Sequence, residues 1–318
     1  MVCEQLVPWP RDHGPVFGRQ FLKSPHRLAE TGLFDDDALA RLIDAYPRHR
    51  LLAFATGTDP TNMRELVPVD TAGVSGADVI EALQRGRLWF KLLRIQEWAG
   101  PYADVVDQLY RELEAMAGGF RALTKNAVLF FGSTGSQVYY HFDAKPNMLW
   151  HIRGRKRFWL YPALNTDLVS QKALEDVYTM TTDEEVPYDP KFDAYAAEFD
   201  LGPGDVLSWP QNSPHRVLVT EGMSVSLGTL HDTADSLRRS HVICANAMLR
   251  QVGFGNLSMA ERGPMPAAKE FLYRAARKTG ATRPRPIKPY VTSLVIDPAS
   301  GVRVLSEPRL TEFARGPA

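Results

Sequence analysis

Cysteine is scarce in this 318-residue chain: Cys3 and Cys244 stand far apart, outside any Cys-x-x-Cys spacing. That excludes a disulfide framework and a cysteine zinc site, and a reducing, cytoplasmic setting is expected. Net charge is missing as well. The 37 Lys/Arg balance 37 Asp/Glu, so no global field draws the chain to nucleic acid or to an anionic membrane. No stretch of about 18 apolar residues runs uninterrupted, and the opening residues, MVCEQLVPWPRDHG, lack a basic start leading into an apolar segment. A soluble, unexported protein with no nucleic-acid and no membrane partner is the expectation. Internal repeats and low-complexity tracts are absent too.

What is present, 44% hydrophobic and 23% charged side chains, is a globular composition. At about 150 residues per domain the length allows two domains, or one large β-rich domain with helical additions. The charge is uneven, because residues 238–318 hold 14 Lys/Arg against 5 Asp/Glu. A basic C-terminal part therefore follows an acidic body, which reads either as contact between the two or between subunits, or as two solvated surfaces.

The first hundred residues mix helix and strand signals. Pro25 to Glu30 and Asp35 to Tyr46 read as helices, the second with an apolar stripe of Leu39, Leu42 and Ile43 behind an acidic first turn. Leu51 to Ala55 reads as a strand, Leu88 to Ile95 as a strand with helix as its alternative, and Pro101 to Met116 as a helix closed by Gly118-Gly119. From Asn126 the texture changes to eight short apolar or alternating runs with turn residues between them: NAVLFFG, QVYYHFD, NMLWHI, KRFWLYP, AEFDL, DVLSWP, HRVLVT and MSVSLGTL. These predict an antiparallel sandwich or barrel, with a hairpin turn at Arg153-Gly154-Arg155 and a tight turn at Gly202-Pro203-Gly204-Asp205. The organisation expected is an N-terminal α/β extension over 1–120, a β core over 121–233 with an acidic, lid-like insertion at 163–195, and a C-terminal part over 234–318. That last part holds helices at Ala234–Leu249 and Ala267–Lys278, a linker from Arg283 to Pro289 and a hairpin.

His141 and Asp143 lie at the end of a strand, and side chains two apart share a face, so both can reach one metal. His215 follows the DVLSWP strand 74 residues after His141. Two histidines and a carboxylate on one face make the facial triad of non-haem iron(II), with positions left open for a cosubstrate and oxygen. Lys156 shares a face with Phe158 and Leu160, which aims it into the barrel, where a lysine is costly unless it meets an anion, or else it belongs to the basic surface run Arg153, Arg155, Lys156, Arg157. His151 shares a face with Asn147 and Leu149, which places it either in the pocket or in a hydrogen-bonded core position. His231-Asp232 reads as structural, and His13, His26, His49 and His241 as surface or packing residues.

The set His141-Phe142-Asp143, Asn147, Gly154, Lys156 and Tyr161-Pro162, followed by Gly202-Pro203-Gly204-Asp205, Trp209-Pro210 and His215, resembles the jumonji-C and cupin-like iron(II)/2-oxoglutarate oxygenases. It is most similar to the subgroup containing the asparaginyl hydroxylase of hypoxia-inducible factor, and the resemblance covers roughly residues 126–230. It implies a mainly β fold, a double-stranded β-helix (jelly-roll) core with an N-terminal α/β extension and a C-terminal helical segment. It implies His141, Asp143 and His215 as Fe(II) ligands, Lys156 as the cation for the distal carboxylate of 2-oxoglutarate, and Asn147 as a polar neighbour of that cosubstrate, with Leu149 lining the same pocket. The chain departs from the pattern at Val138, where relatives carry a hydroxyl residue and where Ser136, Tyr139 or Tyr140 can substitute, and at Gly228, where a polar residue is often found.

The implied activity is O2-dependent hydroxylation of an unactivated C–H bond, on a peptide side chain, an amino-acid-like substrate or a small natural-product scaffold. Asp143 argues against halogenation, which needs its coordination position for chloride. No reader motif or cysteine cluster accompanies the domain to suggest lysine demethylation. A cupin metal-binding protein that is no oxygenase is the rival, and an inward Lys156 counts against it. The C-terminal helices resemble the dimerising end of related hydroxylases, which implies a homodimer through residues beyond about 234; capping of their own barrel is the alternative.

Overall fold

The structure, a computed structural model, describes residues 5–98, 100–182, 186–280 and 290–311. Cys3, the expected linker from Arg283 to Pro289 and the acidic residues 183–185 of the insertion lie outside the described residues.

The chain runs through α1 (His13–Val16), β1 (Leu22–Pro25), α2 (Asp36–Ala45), β2 (Leu51–Ala55), β3 (Val67–Asp70), α3 (Gly76–Arg85), β4 (Leu88–Leu93), α4 (Ile95–Trp98) and α5 (Gly100–Met116). Helix α2 forms where Asp35 caps it by accepting from the Ala38 amide, and its Leu39, Leu42 and Ile43 are buried. The segment Pro25 to Glu30 is not a helix. Leu22–Pro25 pairs antiparallel with a later strand and Leu28–Thr31 makes one 3-10 turn, in keeping with the extended bias of the residue before a proline.

Six strands rather than eight build the barrel: β5 (Thr124–Gly132), β6 (Gln137–His141), β7 (Asn147–Leu160), then β8 (Ala197–Leu201), β9 (Asp205–Ser208) and β10 (His215–Asp232). The expected hairpin turn at Arg153-Gly154-Arg155 is instead a bend inside one strand, and the two runs from His215 to Leu230 are likewise a single strand. Gly154 (φ 75°) and Gly222 (φ 67°) face each other at this bend, where a Cβ on Gly154 would sit 2.8 Å from the Met223 carbonyl oxygen. Left-handed backbone in such a crowded corner is open to glycine alone. By bending there, β7 and β10 serve two sheets at once. Their first and last halves, respectively, continue β9 and β5, and their other halves pair with β8 and β6.

Beyond β5 the larger sheet extends through β4, β2 and β3, antiparallel throughout. Between β7 and β8 the insertion carries α6 (Gln171–Tyr178). After the barrel come α7 (Ala234–Gln251), α8 (Pro264–Lys278), β11 (Tyr290–Asp297) and β12 (Gly301–Thr311). Strand β11 lies parallel to β3, so the C-terminal hairpin completes the edge of the N-terminal extension.

Three apolar layers follow from strand alternation. One face of the larger sheet is covered by α2, α3 and α5 over Phe90, Leu129, Phe131 and Trp150. Leu149, Phe158, Leu160, Leu207, Trp209 and Val217 fill the barrel interior. On the outer face of the smaller sheet Tyr140, Phe142 and Tyr161 pack against Leu174 and Val177 of α6 and Ile243 of α7. No helix among the described residues is long and apolar enough to cross a membrane.

Candidate metal centre

His141 ends β6 and His215 opens β10, and the two are cross-strand partners in the antiparallel register. Asp143 follows two residues after His141. One donor atom from each of the three lies within 4.8 Å of the others, with His215 Nε2 3.6 Å from Asp143 Oδ2. The sequence spacing therefore closes into one cluster at the mouth of the barrel.

Both imidazoles are held in the tautomer that a metal needs. His141 Nδ1 lies 2.8 Å from the Tyr139 carbonyl oxygen and His215 Nδ1 lies 3.1 Å from that of Ser213. A carbonyl only accepts, so Nδ1 carries the proton in each ring and Nε2 presents its lone pair to the cluster. Burial, and secondarily the neighbouring His141, pushes the His215 pKa down to about 4, which keeps this ring neutral at physiological pH. The carboxylate is oriented by Asn147, whose Nδ2 donates to Asp143 Oδ2 at 2.9 Å.

The loops that carry these residues are tied together by the insertion. Tyr178, at the end of α6, donates to the Ala144 carbonyl at 2.6 Å and accepts from Asn212 Nδ2 at 2.8 Å and Gln211 Nε2 at 3.0 Å. Asn212 in turn sits at φ 66° and reaches the Asp143 carbonyl at 3.3 Å. Neither Tyr178 nor Asn212 was marked by the sequence, because their roles depend on a contact across the insertion that spacing does not encode.

A cavity leads inward from the triad past Leu149, Phe158, Trp209 and Val217 to Lys156. Lys156 is 6% exposed, pairs with Val219 of β10 and Leu201 of β8, and donates to Ser226 Oγ at 2.8 Å. Burial alone brings its pKa down to about 7, so no carboxylate among the described residues compensates its charge. Asn147, which lines the same cavity, has its Oδ1 buried without a partner. Of the hydroxyl residues that can replace the one missing at Val138, Ser136 lines the cavity, as does Ser224. Tyr139 is occupied by the Gly57 amide and Tyr140 faces the outer apolar layer. Gly228 has its own reason: a Cβ there would stand 2.5 Å from the ring of Phe130, which lines the cavity.

Among the other histidines, His151 is fully buried and hydrogen-bonded, and His231 contacts Tyr110 and Phe120 in the core. His26, expected at the surface or in packing, is buried and bonded to the backbone of His151.

Residues 94–236 match the family model described as a cupin-like domain, and this segment holds β5 to β10 with all three triad residues. Among solved structures the chain is similar to Escherichia coli YcfD, at 17% identity and a TM-score of 0.48, over 87% of this chain and 69% of that one. It is also similar to a structure of YcfD, a ribosomal oxygenase from Escherichia coli, in complex with cobalt and 2-oxoglutarate, at 15% identity and a TM-score of 0.48, over 88% and 68% of the two chains. Likeness of this degree carries no chemistry from those proteins to this one. No curated protein matches.

Proposed function

We propose that this protein is an iron(II)- and 2-oxoglutarate-dependent oxygenase that hydroxylates an unactivated C–H bond. The observation that carries the reading is a single cavity with two unlike ends. At its mouth stand two imidazoles and a carboxylate, a donor set that suits non-haem iron(II) and leaves three positions free. At its inner end stands a buried lysine with no counter-charge, which is costly unless an anion completes it. A dicarboxylate satisfies both ends, and a metal site without an oxygenase role gives no reason for the lysine.

His141, Asp143 and His215 would hold the metal, and Lys156 the distal carboxylate of 2-oxoglutarate. When bound, the pair supplies oxidative chemistry in which O2 is consumed, the cosubstrate becomes succinate and carbon dioxide, and one oxygen atom enters the substrate C–H bond. The protein's own part is positional. Tyr139 and Ser213 carbonyls fix the two rings, Asn147 fixes the carboxylate, and Phe158, Trp209 and Val217 keep water from the inner cavity. Ser136 and Ser224 offer the further hydroxyl contact that Val138 does not. As the motif resemblance implies, the substrate is a peptide or protein side chain or an amino-acid-like molecule, presented at the triad's open side.

Anaerobic addition of 2-oxoglutarate to the iron(II)-loaded protein tests the reading. A weak visible metal-to-ligand band is expected, and it should vanish in His141→Ala. Absence of the band in the wild-type chain, with iron bound, overturns the assignment. Succinate formation that depends on candidate peptides or small molecules then identifies the substrate.

A further inference from the structure

Lys156 does not sit in its cavity alone. His151, on the same strand, is fully buried, and so is Ser226 on β10. His151 Nε2 lies 2.9 Å from the Gly154 carbonyl oxygen, which accepts only, so Nε2 carries the ring proton. The ring is neutral, because burial first and Lys156 second push its pKa down to about 3. Its Nδ1 is therefore an acceptor, and the Ser226 hydroxyl at 2.9 Å must donate to it. With its proton committed, Ser226 offers Lys156 Nζ a lone pair at 2.8 Å. The direction of every bond follows: lysine to serine, serine to histidine, histidine to the Gly154 carbonyl. That carbonyl is turned back toward residue 151 by the left-handed bend at Gly154. Behind the chain, His26 Nε2 donates to the His151 carbonyl at 2.9 Å while its Nδ1 accepts from the Leu28 amide at 3.1 Å, so the N-terminal extension braces the same strand.

We propose that Ser226 and His151 are positioning residues for the cosubstrate: together they form a one-way hydrogen-bonded seat that holds Lys156 in place and favours its charged form, leaving two of its N–H groups for a carboxylate. The proposal rests on the oxygenase reading above and goes beyond it by assigning function to residues that touch neither metal nor cosubstrate. A seat that merely filled space would need no hydroxyl, and an alanine and a phenylalanine would pack at these positions. The committed serine proton matters because a free hydroxyl can turn its hydrogen toward the ammonium, which opposes the charge.

The titratable groups around Lys156 are few. His151 faces it from β7, with His26 behind; from β10 it meets Ser226, and the metal end of the cavity supplies His141, Asp143 and His215. Burial lowers the Lys156 pKa to about 7, so above that pH a dianion must bring a proton back to the lysine as it binds. Affinity then falls about tenfold per pH unit above the break. Removing the acceptor that favours the charged lysine moves the break to lower pH, whereas loss of packing alone weakens binding equally at every pH.

The experiment is calorimetric titration of the cobalt(II)-loaded full chain with 2-oxoglutarate from pH 6 to 9, with cobalt affinity measured beside it. Ser226→Ala and His151→Phe are each expected to weaken 2-oxoglutarate binding about tenfold or more at pH 7, the worth of a hydrogen bond to a charged group, and to shift the break downward with cobalt affinity unchanged. A uniform loss at all pH values with an unmoved break overturns the seat. So does wild-type affinity in both variants while Lys156→Ala binds ten- to a hundredfold more weakly, a result that leaves the oxygenase reading standing. Wild-type affinity in Lys156→Ala itself sinks that reading and the seat with it. Ser226→Ala removes one oxygen atom only, so the test survives if His151→Phe does not fold.

Discussion

A metal takes its electron pair from a histidine's Nε2 when Nδ1–H is engaged elsewhere, and at positions 141 and 215 the backbone engages Nδ1 through carbonyls two residues earlier in each case. The ligands line a cavity instead of filling the core, so their loss should spare the fold. His141→Ala, Asp143→Ala and His215→Ala are expected to abolish iron-dependent turnover and to weaken metal binding at least about a hundredfold, with circular dichroism and melting temperature close to wild type. Retention of wild-type metal affinity in any one of them removes that residue from the triad. At this scale the sequence was informative, since His141, Asp143, Asn147, Lys156 and His215 meet in one cavity. Ser226, His26 and Tyr178 escaped because a hydroxyl, a packed ring or a phenol acquires its role from a partner 70, 125 or 34 residues away.

Strands that bend carry the barrel, and their bends were the least legible part of the chain. Arg153-Gly154-Arg155 has the composition of a hairpin turn, and a local reading cannot distinguish a turn that reverses the chain from a kink that passes it between sheets. Only the facing Gly222 and the crowded Met223 carbonyl settle the matter, and both lie far along the chain. Helix α3 was missed for the opposite reason, being short and amphipathic between two strands, although Ser75 caps it by accepting from the Asp78 amide. By contrast α2 announced itself through an acidic first turn and an apolar stripe, α5 through its opening proline, apolar stripe and closing glycines, and α7 and α8 through their helical pattern. At the bend, Gly154→Ala puts a Cβ on a left-handed residue and 2.8 Å from a carbonyl oxygen. A loss of at least about 1–2 kcal/mol in stability is expected from the backbone alone, read from the denaturant midpoint at unchanged slope. Because Gly154 also aims its carbonyl at His151, the variant should bind 2-oxoglutarate more weakly even where it is folded; an unaffected midpoint would mean that the corner is not crowded.

Across the whole molecule, buried neutral histidines and an exposed apolar end make two further expectations. His26, His151 and His231 have pKa values lowered by burial to about 4, 3 and 4. Below the ordinary histidine value of 6.5 the unfolded chain takes up protons that the folded one refuses, so stability is full above about pH 6.5 and is lost as pH falls toward 4. Each of these groups costs about 1.4 kcal/mol per pH unit once the unfolded form is protonated. Denaturant midpoints that stay level from pH 7 to 4.5 would contradict this. The second expectation concerns assembly. Helix α7 buries Val242 and Ile243 within its own chain, which gives the C-terminal part a covering role on the outer layer. Helix α8, packed on α7, nevertheless leaves Met265, Phe271 (76% exposed) and Leu272 in solvent. Large apolar side chains left exposed on one helix favour association, and α8 lies in the basic part of a chain whose body is acidic. Light scattering on the full chain is therefore expected to give a dimer, and Phe271→Asp a monomer with the melting temperature unchanged, since that ring supports nothing in its own fold. A monomeric wild-type chain sinks the dimer; a dimer that survives Phe271→Asp moves the interface off α8.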